Sequence, residues 1–391
     1  MKRLVFCLDG TWNRPDQEGN PSNVTAILRA IPPADADGTV QLVFYDKGVG
    51  TGGPLNRMVG GLFGKGLREN IRDAYRALVN NYEPGDEIYL FGFSRGAFTA
   101  RSLAGMIGEV GVLENERVLT TGDAWQRYLR ASDDPERPAA IATVREHSRC
   151  DVRISAVGVW DTVGALGIPD DLLTWAARRS HGFHDTAMGA HIDRAFHALA
   201  IDERRGPFRP TLWRSGDGRG YATTADGDLA GRPLVEQVWF AGVHTDVGGG
   251  YDEDALARIP LDWMVRRLRQ TTGLAVAPPR ATLDSTAPQH ESRDWKYLFS
   301  RVFPFVRPLA DGLPPLPFRK RLRAERHLDR VRGKPINEMV HRSVLERRGR
   351  QVAVRRGTRT LEHVEYAPPT LARADDRLPV VEHDGTITPA G

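Results

Sequence analysis

Only two cysteines, Cys7 and Cys150, occur in 391 residues. A small secreted fold stapled by disulfides is excluded, so the chain must rest on a hydrophobic core. Long apolar runs are equally absent. No stretch approaches the roughly 18 uninterrupted apolar residues of a membrane-spanning helix, and Leu4–Leu8 is too short for a signal-peptide core. The chain therefore reads as cytoplasmic, with export by a machine that needs no cleavable signal left open. A surplus of one charge is lacking too, since 54 Lys and Arg face 50 Asp and Glu. That balance predicts no nucleic-acid partner. The small excess is local: Arg319–Arg350 carries twelve basic residues against Glu325, Asp329, Glu338 and Glu346. Such a tract is either a solvated basic face or a peripheral contact with anionic membrane. Metal-binding patterns are missing, because the histidines show no H-E-x-x-H spacing and two isolated cysteines give no zinc pattern. No metal and no cofactor are expected.

What is present is an alternation of short apolar runs and helical patterns. Leu4–Leu8, Gln41–Tyr45, Glu87–Gly92, Ile154–Trp160 and Val235–Val243 read as strands, the first closed by the Asp9-Gly10-Thr11 turn. Helical periodicity follows Gly66 through Ile71, Tyr75 and Leu78, and again from Gly96 to Ile107. This alternation predicts an α/β protein with a doubly wound, mostly parallel sheet, whose functional groups gather beyond the carboxyl ends of its strands. Residues 162–234 suit a cap insertion plus one further element. The expected organisation is a catalytic domain over 1–275 and, from 276 to 391, a Pro- and Arg-rich extension packing on the same domain.

Three glycine-rich stretches compete as chemical motifs. Phe6–Thr11 approaches the D-x-D-G-T phosphatase strand end, but Cys7 stands where the nucleophilic aspartate belongs. Gly60–Gly66 fails as a phosphate loop, because Val59 replaces the first glycine and Gly66 the Ser or Thr that holds magnesium. Gly48–Gly52 lacks dinucleotide spacing and the helix that should open behind it. The sharpest pattern is Gly92-Phe93-Ser94-Arg95-Gly96, a G-x-S-x-G between a buried strand and a helix. That setting is the one a nucleophile elbow requires; the competing reading is a helix-capping serine.

A serine hydroxyl needs a base, and the base needs a carboxylate to orient it. His244 ends the strand-like run Val235–Val243 and precedes the mobile-looking Gly248-Gly249-Gly250. The order Ser, acid, His leaves two acids, Asp161 and Asp202, each ending a strand-like segment; Asp161 follows the better strand. Asp246 is a local orienter or a loop acceptor. The oxyanion would be received by the N–H of Arg95 with one from Gly10 or Thr11, and Asp9 would brace that turn.

Several longer strings carry a resemblance. They are Leu8–Asn13 (LDGTWN), Gly92–Ala97 (GFSRGA), Gly158–Val163 (GVWDTV), His197–Arg205 (HALAIDERR) with Leu212-Trp213, and Gly242–Tyr251 (GVHTDVGGGY). A weaker late match joins His341–Arg347 to Tyr366–Pro369. Together they resemble a family of bacterial and fungal α/β hydrolases, long known only as an uncharacterised domain, that includes phospholipase effectors of the type VI secretion system. The resemblance implies an α/β-hydrolase fold, Ser94 as nucleophile, His244 as base and Asp161 rather than Asp202 as acid. It implies a lipid ester substrate, phospholipid or lysophospholipid. A soluble carboxylesterase or thioesterase and a non-catalytic binding scaffold are the alternatives.

Overall fold

The computed structural model describes residues 1–10, 20–48, 60–114, 118–130, 133–163, 188–205, 208–215, 220–226, 231–279, 282–292, 306–307, 334–356, 360–371 and 378–390. Residues 164–187 of the cap expected within 162–234, the residue Thr11 and the basic tract from 319 to 333 fall outside them.

One nine-stranded sheet organises the chain. In chain order its strands are β1 (Arg3–Leu8), β2 (Gln41–Asp46), β3 (Glu87–Phe93), β4 (Ala156–Trp160), β5 (Arg194–Ala200), β6 (Leu234–Phe240), β7 (Glu338–His341), β8 (Val380–Val381) and β9 (Ile387–Thr388). Across the sheet they run β9-β8-β7-β6-β5-β4-β3-β1-β2. Every pair is parallel except β8 with β9. The architecture is mixed α/β with a large, mostly parallel central sheet, as the alternating pattern predicts.

The apolar runs are continuous because both faces are covered. Leu4, Phe6 and Leu8 of β1 face the layer formed by α2 (Gly60–Asn81) and α3 (Arg95–Val110), where Ile71, Tyr75, Leu78, Ala100 and Leu103 are buried. Val5 and Cys7 face the opposite layer, built by Val24 and Ile27 of α1 (Asn23–Ala30) and by Ile259, Met264 and Leu268 of the long helix Ala255–Thr271. Each such buried aliphatic or aromatic side chain contributes about 1.5–3 kcal/mol. The sheet core is therefore the main source of stability. None of the described helices is long and apolar enough to cross a membrane.

Two regions differ in detail from the sequence expectation. The further element within 162–234 is β5, an internal strand that takes in Ala195–Ala200 of the apolar run before Asp202. The carboxyl-terminal region does more than lie against the sheet. It supplies β7, β8 and β9, and a small sheet pairing Gln289–His290, Gln351–Arg356 and Thr360–Glu365. Val340, Val344, Val352 and Tyr366 share a third core cluster with Leu199 of β5 and Trp239 of β6. In the basic tract Arg347 is fully buried, with Nη1 donating to the carbonyls of Ser285 and Ala287, and Arg342 pairs with Glu382. Arg347 thus belongs to the core and to no exposed basic face.

Candidate active site

The strand order places a topological switch between β1 and β3, one strand in from the β2 edge of the sheet. β2 leaves β1 on one side and β3 arrives on the other, so the carboxyl ends of β1 and β3 open a crevice between their following turns. Ser94 lies there, between β3 and α3. Its backbone is at φ 58°, ψ −117°, a conformation that costs an L-residue on the order of 1–3 kcal/mol. The surroundings hold it in place: Ser94 N–H donates to Trp160 O at 3.1 Å, and Phe98 N–H to Ser94 O at 3.2 Å. The flanking glycines are sterically obligatory. A Cβ on Gly92 would lie 2.4 Å from Gly96 O, and one on Gly96 would lie 1.9 Å from Leu8 O. Ser94 makes no side-chain cap hydrogen bond to α3, so helix capping does not account for a serine here.

His244 opens a short helix, His244–Gly248, directly beyond β6. Its ring is buried between Phe93, at a centroid distance of 4.7 Å, and Phe208, met edge-on at 4.9 Å. Phe93 is the residue before Ser94, so the imidazole lies beside the serine turn. On its other side Nδ1 lies 2.5 Å from Asp161 Oδ2. A carboxylate can only accept, so Nδ1 carries the proton and Nε2 is the basic nitrogen. Burial lowers the pKa of His244 below its usual value, the Asp161 bond works against this, and Arg205 adds to it.

Asp161 follows β4 at φ 39° and is completely buried. Its Oδ1 accepts from Ala200 N–H at 3.0 Å and from Arg307 Nη1 at 2.5 Å, and its Oδ2 from Arg307 Nη2 at 2.9 Å. Burial opposes ionisation, but Arg307 and the His244 hydrogen bond outweigh it and hold the carboxyl far below the usual carboxylate range. Asp202, at the end of the adjacent strand, faces away from the imidazole. It accepts from Gly242 N–H at 2.8 Å and Tyr366 O–H at 2.9 Å, and burial pushes it up to about 6 against these hydrogen bonds and the charges of Arg204 and Arg347. Of the two candidate acids, only Asp161 meets the His244 ring.

Asp246 accepts from Val243 N–H at 3.0 Å and pairs with His290, whose Nδ1 lies 2.6 Å away. It braces the His244 turn and makes no contact with the His244 ring among the described interactions. Asp9 likewise serves its own turn: Oδ1 accepts from Gly10 N–H at 2.7 Å, and Oδ2 from Ser22 Oγ at 2.5 Å, Thr25 Oγ1 at 3.1 Å and Tyr45 O–H at 3.1 Å. Gly10 sits against Ser94, where an added Cβ would lie 3.5 Å from the serine Cβ, but its N–H is engaged by Asp9. Arg95 is the first residue of α3 and directly follows Ser94. Thr11 lies outside the described residues.

Sequence reasoning missed Arg307, Glu203, Ser292, His290 and Phe208. Glu203 Oε2 accepts from His244 N–H at 3.3 Å, and its other oxygen from Ser292 Oγ at 2.9 Å. The only hint was Glu203 within the D-E-R-R string; Arg307 stands in a Pro- and Arg-rich stretch with no local pattern at all. Among the described residues no group of three or more His, Cys, Asp or Glu is arranged to hold a metal ion.

The model of a family described as T6SS phospholipase effector Tle1-like, catalytic domain, matches residues 2–267. An uncharacterised protein of Saccharomyces cerevisiae is 31% identical over 231 residues, covering 53% of this chain and 32% of the yeast protein. Among solved structures, an uncharacterised protein from Pseudomonas aeruginosa aligns at a TM-score of 0.41 and 19% identity, covering 71% of this chain and 47% of that one. The Tle1 effector bound to the VgrG spike of the type 6 secretion system aligns at 0.32 and 18%, covering 64% and 51%. The chain thus spans about a third of the yeast relative's length and about half of each solved chain.

Proposed function

The chain belongs to the Tle1-like phospholipase effector catalytic-domain family, and from that premise we propose that it is a serine hydrolase of the α/β-hydrolase type that cleaves acyl esters of phospholipids or lysophospholipids. Ser94 Oγ attacks the ester carbonyl while His244 Nε2 takes its proton, and Asp161 holds the imidazole in the required tautomer. The oxyanion is received by Arg95 N–H and, since Asp9 already holds the Gly10 N–H, by Thr11 N–H from the turn after β1. Protonated His244 then delivers its proton to the departing alcohol, leaving an acyl group on Ser94. Water, deprotonated by the same imidazole, releases the fatty acid and restores the serine.

One arrangement supports this above the rest: a buried carboxylate–imidazole pair stands beside a serine held at positive φ, across a parallel sheet at its switch point. Asp202 lies one strand over, hydrogen-bonded elsewhere, and serves to anchor the β6 turn.

Treatment with a fluorophosphonate followed by intact-mass measurement tests the nucleophile. One adduct on the wild type that vanishes in Ser94→Ala is the expected result; an unlabelled, folded wild type would turn the reading towards a binding scaffold. Turnover of phospholipid vesicles well above that of a short soluble ester separates a lipase from a carboxylesterase or thioesterase.

A further inference from the structure

Three carboxylates stand behind His244, and each accepts from a different part of its turn. Asp161 takes the ring Nδ1, Glu203 takes the His244 N–H, and Asp246 takes the N–H of Val243. Each of the three is also gripped by a buried donor from one stretch of chain beyond the long helix. His290 binds Asp246 through its backbone N–H at 3.0 Å and Nδ1 at 2.6 Å, Ser292 Oγ binds Glu203 at 2.9 Å, and Arg307 binds both oxygens of Asp161. All three donors lie past residue 267, where the family match stops.

Arg307 does the most. Its side chain is 1% exposed. Nη1 donates to Asp161 Oδ1 and, at 2.6 Å, to Ala200 O; Nη2 donates to Asp161 Oδ2 and, at 2.7 Å, to Phe208 O. Phe208 in turn packs edge-on against the His244 ring. One planar guanidinium therefore fixes the acid, the end of β5 and the aromatic wall of the base. A lysine, a single point charge, could not span those four acceptors.

We propose that Arg307 is a positioning residue of the active site, setting both the orientation and the effective charge of Asp161. This rests on the triad reading above. A lone buried carboxylate would stabilise the imidazolium strongly and keep His244 protonated near neutrality; the Asp161–Arg307 pair carries no net charge, so the base stays neutral and ready. Among the described residues, the other ionisable groups around the His244 turn are Glu203 and its ion-pair partner Arg205 after β5, and Asp246 with His290 behind the turn.

The test uses the full chain with Arg307→Met and Arg307→Lys. NMR titration of the His244 imidazole is read beside kcat and KM for a soluble p-nitrophenyl ester. In Arg307→Met the His244 pKa rises by about one unit, and kcat at pH 7 falls about a hundredfold with KM within about twofold. Arg307→Lys keeps the charge and loses the fork, so the pKa holds while kcat falls about tenfold. Wild-type kcat and an unmoved His244 pKa in the folded variants would overturn the proposal. Should Arg307→Met fail to fold, wild-type turnover in Arg307→Lys overturns it alone. If the wild type lacks any turnover dependent on Ser94, the hydrolase reading falls, yet the His244 titration still answers for Arg307.

Discussion

The Ser94 turn and the Asp161–His244 pair are held in different ways. Around Ser94 the restraint is backbone against backbone: Gly92 and Gly96 exist as glycines because Gly96 O and Leu8 O leave no room for a Cβ. Around His244 the restraint is buried charge: Asp161, Glu203 and Asp246 are satisfied by Arg307, Ser292 and His290, donors that arrive from far along the chain. The first kind of site is rigid and written in five consecutive residues. The second can be tuned, because any donor added or removed changes the basicity of the imidazole.

Several measurements would break or sharpen that contrast. The largest effect is expected at the acid. Asp161→Asn should cut kcat about 10⁴-fold by presenting His244 in the wrong tautomer, while Asp202→Asn costs less than about tenfold. Collapse in the second with near-normal turnover in the first would reverse the assignment of the two aspartates. Next comes Gly96→Ala, which forces a methyl into Leu8 O. A loss of about 4 kcal/mol or more in urea unfolding is expected, and a change under about 1 kcal/mol would show that sterics do not hold the serine turn.

A smaller effect concerns Asp202. Its folded carboxyl titrates at about 6, raised by burial from the usual 3.8. A raised carboxyl favours folding fully below the unfolded value, and that benefit is lost as pH climbs from about 4 to about 6. Above that window the wild type carries a buried charge that asparagine avoids. Asp202→Asn should therefore be less damaging to stability at pH 8 than at pH 4, by up to about 3 kcal/mol. Denaturation at the two pH values checks this, and equal cost at both would mean that Asp202 is ionised in both. The smallest effect is expected at the basic tract. Replacing Arg319, Lys320, Arg321 and Arg323 with glutamine should weaken binding to anionic vesicles several-fold while leaving soluble-ester turnover unchanged. Equal loss in both assays would make those arginines structural, as Arg347 already is.

Much of the fold was legible because it depends on local pattern. The runs at Leu4–Leu8, Gln41–Tyr45 and Glu87–Gly92 are β1, β2 and β3 with shifts of one residue at their ends. β5 was ambiguous because Ala195–Ile201 mixes helix-forming alanine and leucine with aromatic residues, and only pairing with β4 and β6 on both sides resolves it. β7, β8 and β9 escaped notice. They are two to four residues long, too short to show a period, and exist as strands because β6 offers β7 a partner, β7 offers one to β8 and β8 one to β9.

The sequence by itself determined the alternation of strands and helices around a mostly parallel sheet, the glycine-flanked serine turn and the histidine after β6, because each is written in a short consecutive stretch. It favoured Asp161 over Asp202 only by the quality of the preceding strand and by resemblance, and was silent on Arg307. Only the tertiary structure decided which carboxylate meets the imidazole and which carries a guanidinium. A buried charge takes its partner from wherever a donor reaches it in space, and the donor for Asp161 lies 146 residues along the chain.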